Sequence, residues 1–118
     1  MRSICLRLRR GDDLLLSIRQ LAAREGLRCA VVLSGVGCVT EARVRDASGV
    51  TVRHIAEPCE IVSLNGTVSA ARCHLHIALA REDLSTLRAS DGGHDHQHHL
   101  RAGAAGAGRL ALRRRAGR

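Results

Sequence analysis

The sequence predicts an α+β domain with a mostly antiparallel sheet and one main helix. A single segment near the N-terminus has apolar residues at the helical period. The segments that follow it are short, rich in β-branched residues and separated by turns that contain glycine. One helix among about six strands that are joined by short turns is typical of an α+β fold.

The helix is predicted to begin at Leu14. Asp12 or Asp13 is expected to cap its N-terminus, and Gly26 suits the left-handed residue that often ends a helix. The apolar residues of the segment fall at i, i+1, i+4, i+7 and i+8, and therefore form one stripe: Leu14, Leu15, Ile18, Leu21 and Ala22.

Strands are predicted on both sides of this helix. Ile4, Leu6 and Leu8 alternate with more polar residues, which is the period-2 pattern of a half-buried strand. The segments 41–45 and 50–56 flank a turn and predict a hairpin. Further strands are expected at 27–33, at 60–69 with an interruption at Asn65–Gly66, and at 72–80.

The charge of the chain is unevenly distributed. The 118 residues include 19 arginines and no lysine against 11 acidic residues, a formal net charge of +8. Residues 89–118 hold six of the arginines and two of the acids, and thus half of the excess charge. Of these 30 residues, 23 are Ala, Gly, Arg or His. We therefore expect a folded domain over residues 1–88 and a disordered basic tail over residues 89–118.

The composition also excludes several classes of protein. Without Phe, Tyr or Trp, the chain cannot bind nucleic acid by stacking bases on aromatic rings. No apolar run is long enough for a transmembrane helix, and the alternation over residues 1–10 argues against a secretory signal. The cysteines at positions 5, 29, 38, 59 and 73 include no Cys-x-x-Cys pair. They are predicted to be buried, reduced thiols in a cytoplasmic protein.

The most specific candidate site lies on the strand at 72–80. Strand alternation places Cys73, Leu75, Ile77 and Leu79 on the core face. His74 and His76 then share the opposite face about 7 Å apart, close enough to bind one divalent metal such as zinc. A third ligand would come from His94, from the other tail histidines, from His54 or from another subunit. The alternative is a solvated or subunit-facing surface without a metal.

No motif for catalysis or for an organic cofactor is found. Gly35–Val36–Gly37 follows a strand, but Thr40 stands where a dinucleotide-binding fingerprint requires its third glycine. Ser34 lies outside a nucleophile elbow, and the acidic residues suggest no acid–base pair. The sequence therefore predicts no catalytic residue.

Four segments occur in the order found in the PPC domain, the plant and prokaryote conserved domain also called DUF296. They are GDDLL at 11–15, VVLSGVG at 31–37, EIVSLNGTVS at 60–69 and HLHIALA at 74–80. The chain resembles this family over residues 3–81. The resemblance implies a homotrimer with a histidine-containing site near the subunit boundary, to which His74 and His76 correspond. It also implies association with DNA, although the chain has no Arg-Gly-Arg-Pro core.

The C-terminal segment departs from this family. Members continue from the histidine strand through a Gly-Gly-His turn into closing strands, whereas Gly92–Gly93–His94 comes late and precedes an Ala/Gly/Arg-rich segment. We therefore expect one or more closing strands to be missing. The sequence favours a non-catalytic, DNA-associated or regulatory binding module that forms a homotrimer. The alternatives are a metal-dependent enzyme or small-ligand binder that uses the His74/His76 pair, and a frame-altered relic without a function.

Overall fold

The computed structural model describes residues 2–92, 99–102 and 109–114, with side chains over 3–89. Within these ranges the chain forms β1 (Arg2–Arg7), α1 (Leu14–Arg24), β2 (Ala30–Val36), β3 (Cys38–Arg45), β4 (Val52–Ile55), β5 (Cys59–Val68), β6 (Cys73–Ala80), β7 (Thr86–Gly92), β8 (His99–Ala102) and β9 (Arg109–Arg114). The strand pairs in these ranges are antiparallel. The predicted α+β class with one helix is confirmed.

The strands form one curled sheet. Their order is β1-β9-β2-β5-β6-β7-β3-β4, and β8 pairs with β3. Because β3 pairs with both β5 and β7, the sheet bends back on itself. The curl gives the sheet a concave inner face and a convex outer face.

Helix α1 follows the predicted pattern closely. The Asp13 carboxylate accepts a hydrogen bond from the Leu16 N–H at 3.0 Å and caps the helix. Gly26 has a φ of +58°, as expected of a residue that ends a helix. The apolar stripe is buried, namely Leu14, Leu15, Ile18, Leu21 and Ala22. In the described part of the chain, no helix combines the length and apolar character needed to cross a membrane.

The core joins this helix to the inner face of the sheet. Its most deeply buried large side chains are Leu15, Ile18, Leu27, Val39, Val68, Leu75 and Leu79. Burying an aliphatic side chain of this size contributes roughly 1.5–3 kcal/mol. The helix stripe and the inner-face residues of β5 and β6 therefore depend on each other for stability.

The segment beyond residue 88 contributes more sheet than the sequence predicts. Residues 89–92 complete β7, β8 pairs with β3, and β9 lies between β1 and β2. A strand with a neighbour on each side satisfies its backbone hydrogen bonds without a strongly apolar sequence. Closing strands are therefore present here, contrary to the expectation that they are missing. The domain boundary after residue 88 stays a prediction. The disorder predicted for residues 93–98, 103–108 and 115–118 concerns positions outside the described residues and also stays a prediction.

Two details of the predicted strands need correction. Strand β5 runs without interruption through Asn65 and Gly66, because Gly66 adopts a φ of +152° that keeps the chain extended. Strand β2 begins at Ala30 and extends through the glycine-rich segment, with a bulge between Val32 and Ser34. The hairpin of β3 and β4 is confirmed, with Arg43 opposite His54.

The cysteines are only partly buried. Cys59 and Cys73 lie in the core, Cys38 is half-buried, and Cys5 and Cys29 are exposed; none of the five forms a disulfide. The prediction that all of them are buried is wrong. Cys5 faces outward because its neighbours on β1, Ile4 and Leu6, alternate toward the core.

Candidate histidine site on the outer sheet face

Strand β6 positions the two histidines on the outer face of the sheet. Its core-facing residues are buried with relative exposures of 1–3%: Cys73, Leu75, Ile77 and Leu79. Between them, His74 is half-buried and His76 is exposed. The alternation predicted from the sequence is confirmed, and it fixes the face to which both imidazoles belong.

The two imidazole rings are in direct contact. Nε2 of His74 lies 3.0 Å from Nε2 of His76. The ring centroids are 5.1 Å apart, with 49° between the ring planes. At this distance the two rings form a hydrogen bond in which one Nε2 donates its N–H and the other Nε2 accepts it through its lone pair. Since zinc–nitrogen bonds are about 2.0–2.1 Å long, two nitrogens this close could also bind one ion. The geometry of the pair is therefore compatible either with a hydrogen bond between the two rings or with binding of both nitrogens to one metal ion.

The pairing of the strands places His74 in a row that crosses three strands. Val31 on β2 pairs with Thr67 on β5, and Thr67 pairs with His74 on β6. In the next row, Asn65 pairs with His76. Directly paired residues of antiparallel strands project from the same face. The histidine pair is thus flanked by Thr67, Asn65 and the aliphatic side chains of β2.

The third ligand that the sequence predicts is not found among the described side chains. Over residues 3–89, no three His, Cys, Asp or Glu side chains are grouped so that they could hold a metal ion. His54 is bound elsewhere, with Nε2 3.1 Å from Oε2 of Glu41. His94 lies outside the described residues. Among the described side chains, the structure therefore brings together only His74 and His76, and these two fit half of a tetrahedral ligand set.

A cleft of about 720 Å³ opens beside His76. Ser63, Thr86 and Arg88 contribute polar groups to its lining, and Val62 contributes an exposed apolar side chain. Arg88 on β7 pairs with Ala78 on β6, which brings it to the same face as the histidines. Sequence spacing could not identify these residues, because their proximity depends on how β5, β6 and β7 pair.

Comparison with known proteins identifies the family. The sequence profile of the Plants and Prokaryotes Conserved (PCC) domain, which is the PPC domain of the resemblance, matches residues 1–104. The chain belongs to the PCC family. The match extends beyond residue 81, where the resemblance in sequence motifs ends.

Part of the chain is similar to a segment of much larger proteins. The bifunctional protein GlmU of two Synechococcus strains is 35% identical over 75 residues, which is 64% of this chain and 12% of GlmU. The matched region thus spans about an eighth of the length of these curated relatives.

Solved structures have the same fold. A hypothetical protein from Salmonella enterica superposes with a TM-score of 0.84 at 22% identity, over 94% of this chain and 75% of that one. A metal-containing protein from Archaeoglobus fulgidus gives 0.72 at 21% identity, over 95% and 78%. A plant- and prokaryote-conserved protein from Pyrococcus horikoshii gives 0.70 at 21% identity, over 100% and 81%. At these identities the likeness establishes the fold of the PCC domain.

Proposed function

We propose that this PCC domain is a non-catalytic binding module that assembles as a homotrimer through the outer face of its sheet. The observation that supports assembly is a set of exposed aliphatic side chains beside the histidine pair. Val31 and Leu33 on β2 and Val62 on β5 are 42%, 50% and 59% exposed. A cytoplasmic location suits a chain whose five cysteines form no disulfide.

The exposed aliphatic residues favour a protein partner over open solvent. Single exposed apolar residues are common, whereas neighbouring ones on one surface are typical of interfaces. Val31 and the His74 position belong to one row across the sheet, so the apolar side chains and the histidines would be covered together. The trimeric order and the place of the histidines near a subunit boundary come from the family resemblance.

Sedimentation velocity tests the assembly. We expect a species of about three times the 12.7 kDa protomer mass, and a folded monomer for the double variant Leu33→Asp/Val62→Asp, because a charge on an apolar interface is costly to bury. Val50→Asp and Leu84→Asp are matched controls. These two residues are 84% and 85% exposed but lie in the turns between β3 and β4 and between β6 and β7. A wild-type chain that sediments as a folded monomer would rule out the trimer.

DNA association is the proposed role of the module's positive charge. Two structures with this fold, from Bacteroides thetaiotaomicron and Ralstonia eutropha, carry names that assign DNA binding provisionally. In this chain, Arg7, Arg9 and Arg10 are exposed at the end of β1, and Arg28 is exposed before β2. Arginines on a surface bind phosphates without reading the base sequence.

Retention on duplex DNA at increasing salt concentration tests this role. We expect retention that weakens steeply with salt, because phosphate contacts release bound counterions. Arg9→Gln/Arg10→Gln should weaken retention equally on duplexes of different sequence. Retention that is absent, or insensitive to salt, would exclude DNA binding through charge.

A second candidate function is metal or small-ligand binding at His74 and His76. The 3.0 Å separation of their Nε2 atoms favours it. His74 and His76 would provide two nitrogen ligands, and a third would come from His94 or from another subunit. A bound divalent metal such as zinc would supply Lewis acidity at this position.

Metal analysis of tag-free protein tests this candidate. We expect metal to co-purify with the wild-type chain and to be lost in His74→Ala. His54→Ala is the control, because His54 contacts Glu41 on the hairpin of β3 and β4. Equal metal content in His74→Ala and wild type would exclude the histidine pair as the metal site.

A further inference from the structure

A second cavity adjoins the cleft beside His76, and the two share Ile77, Arg88 and Ala89 in their linings. It has a volume of about 590 Å³ and separates the hairpin of β3 and β4 from strands β6 and β7. Its apolar lining consists of Val44, Ile55, Ile77, Leu79, Leu87 and Ala89. Cavities of roughly 300–1,000 Å³ that combine apolar side chains with polar groups are typical of small-molecule sites.

The rest of the cavity lining is polar or charged and includes His54. Arg53, Arg81 and Arg88 contribute to its lining, with Asp46 as the acidic residue among the lining residues. Nε of Arg53 lies 3.0 Å from Oδ2 of Asp46. Nε of Arg81 lies 2.6 Å from Oε1 of Glu57, which is outside the lining. Two guanidinium groups are thereby held at the border by neighbouring carboxylates.

These ion pairs leave hydrogen-bonding capacity on the arginines. A guanidinium has five N–H donors, and each of the two ion pairs is made through Nε. Nε of Arg81 is also buried and has no well-directed hydrogen bond within the described residues. The Nη groups of Arg53 and Arg81 take no part in these two ion pairs and can donate to a further acceptor.

The net charge around the cavity favours a ligand that carries one negative charge. Three arginines and one aspartate line it, which gives a formal charge of +2. Glu57, paired with Arg81, reduces the total to +1. A single carboxylate would balance this charge, and its planar oxygens match the geometry of a guanidinium.

We propose that this cavity binds a small organic monocarboxylate with an apolar body. The apolar body packs against Ile77 and Leu79 of β6 and Val44 of β3, and the carboxylate accepts hydrogen bonds from Arg81 and Arg53. Ile77 and Leu79 face inward, whereas His76 faces outward. The lining of the cavity includes neither His74 nor His76. The proposal therefore does not rest on the function proposed for the histidine pair.

The probe is 4-phenylbutyrate, titrated into protein with labelled Ile, Leu and Val methyl groups and followed by NMR. Because the chain has no Phe, Tyr or Trp, phenyl signals belong to the ligand alone. We expect saturable shifts at the methyls of Ile77, Leu79 and Val44, with NOEs from the phenyl ring. The neutral analogue 4-phenylbutanol should bind about tenfold more weakly, a difference of about 1.4 kcal/mol.

Three variants separate the contribution of charge from that of packing. Arg81→Gln should weaken binding of 4-phenylbutyrate about tenfold and leave 4-phenylbutanol unchanged. Glu57→Gln should strengthen carboxylate binding, because it removes a competing anion from Arg81. Arg28→Gln, on the exposed segment before β2, should change neither affinity.

Two results would overturn the proposal. Equal affinity of the wild-type chain for the acid and the alcohol would exclude an anion site. Shifts that do not saturate, or that spread over surface methyls such as those of Val50 and Leu84, would exclude the cavity. Both results come from the wild-type protein, so the outcome stands even if a variant fails to fold.

Discussion

Gly66 on β5 lies directly against the backbone of His74 on β6. A β-carbon at position 66 would overlap the carbonyl oxygen of His74 and lie 2.9 Å from the α-carbon of Leu75. The φ of Gly66 is +152°, which L-amino acids with a side chain rarely adopt. The close approach of β5 and β6 at the histidine site therefore requires glycine at this position.

Replacement of Gly66 by alanine should be strongly destabilising. We expect Gly66→Ala to lower the free energy of unfolding by about 2–4 kcal/mol, because backbone strain and steric overlap both contribute. Urea denaturation followed by far-UV circular dichroism measures the loss. The Gly66→Ala substitution should also broaden or shift the imidazole NMR signals of His74, since the overlap displaces the backbone that carries this ring.

Gly49→Ala is the matched control for this variant. Gly49 has a φ of +79° but no atom within 4 Å of its β-carbon position. Gly49→Ala should lower the free energy of unfolding by about 1–2 kcal/mol, from backbone conformation alone. If the two variants were equally stable, the contact between Gly66 and His74 would not be a steric constraint.

The same glycine shows why part of the fold could not be predicted from the sequence. Asn65–Gly66 is a common turn sequence, so the local pattern predicts a break in the strand. In the structure β5 stays paired with β6 through Asn65 and Gly66. Glycine permits this because it tolerates both the φ of +152° and the close backbone of β6. Helix α1, whose period and Asp13 cap are both local signals, was predicted correctly.

The histidine site divides in the same way between local and long-range information. Alternation along β6 was enough to predict that His74 and His76 share one face. That Thr67 and Arg88 lie beside the histidines depends on the pairing of β6 with β5 and β7, which no local pattern encodes. Strand β9 was missed for a related reason. Its backbone pairs with β1 and β2, which are far from it in sequence.

The N-terminal cap of α1 gives a second test of stability. Asp13→Ala removes the hydrogen bond from the Leu16 N–H to the Asp13 carboxylate, which is 3.0 Å long. We expect a loss of about 1 kcal/mol in urea denaturation. Asp13→Asn should retain most of the stability, because asparagine is an equally good cap. If the asparagine variant lost as much stability as the alanine variant, capping would not explain the effect.

The turn between β3 and β4 should make stability depend on pH. Hydrogen bonds from the Ser48 side chain, then from Arg53 and the Ser48 backbone, lower the pKa of Asp46 below its ordinary value of 3.8. A carboxyl group with a lowered pKa in the folded state stabilises the protein above the ordinary pKa. This contribution is lost as the pH falls below 3.8 through the lower pKa of the folded state.

Comparing wild type with Asp46→Asn from pH 7 to pH 2 isolates this contribution. The difference in urea midpoint between the two proteins should be largest above pH 4 and should shrink as the pH falls below 3.8. Asp83→Asn should behave similarly, because Ser85 lowers the pKa of Asp83 by equivalent hydrogen bonds. A difference that is constant over this pH range would show that the Asp46 carboxylate does not stabilise the turn.

The burial of the cysteines predicts a graded reaction with alkylating reagents. Burial, and secondarily the negative charge of Glu57, raises the pKa of the Cys59 thiol above its ordinary value of 9.0. Cys59 is 3% exposed, whereas Cys5 and Cys29 are exposed. At pH 8, iodoacetamide should therefore modify Cys5 and Cys29 quickly and Cys59 slowly, as measured by mass spectrometry of the peptides.

In urea all five thiols should react at similar rates, because the thiolate is the nucleophile and its access is then equal. In Glu57→Gln, Cys59 should remain protected, because burial contributes more than Glu57 to its raised pKa. Rapid labelling of Cys59 in the folded wild-type protein would contradict its place in the core.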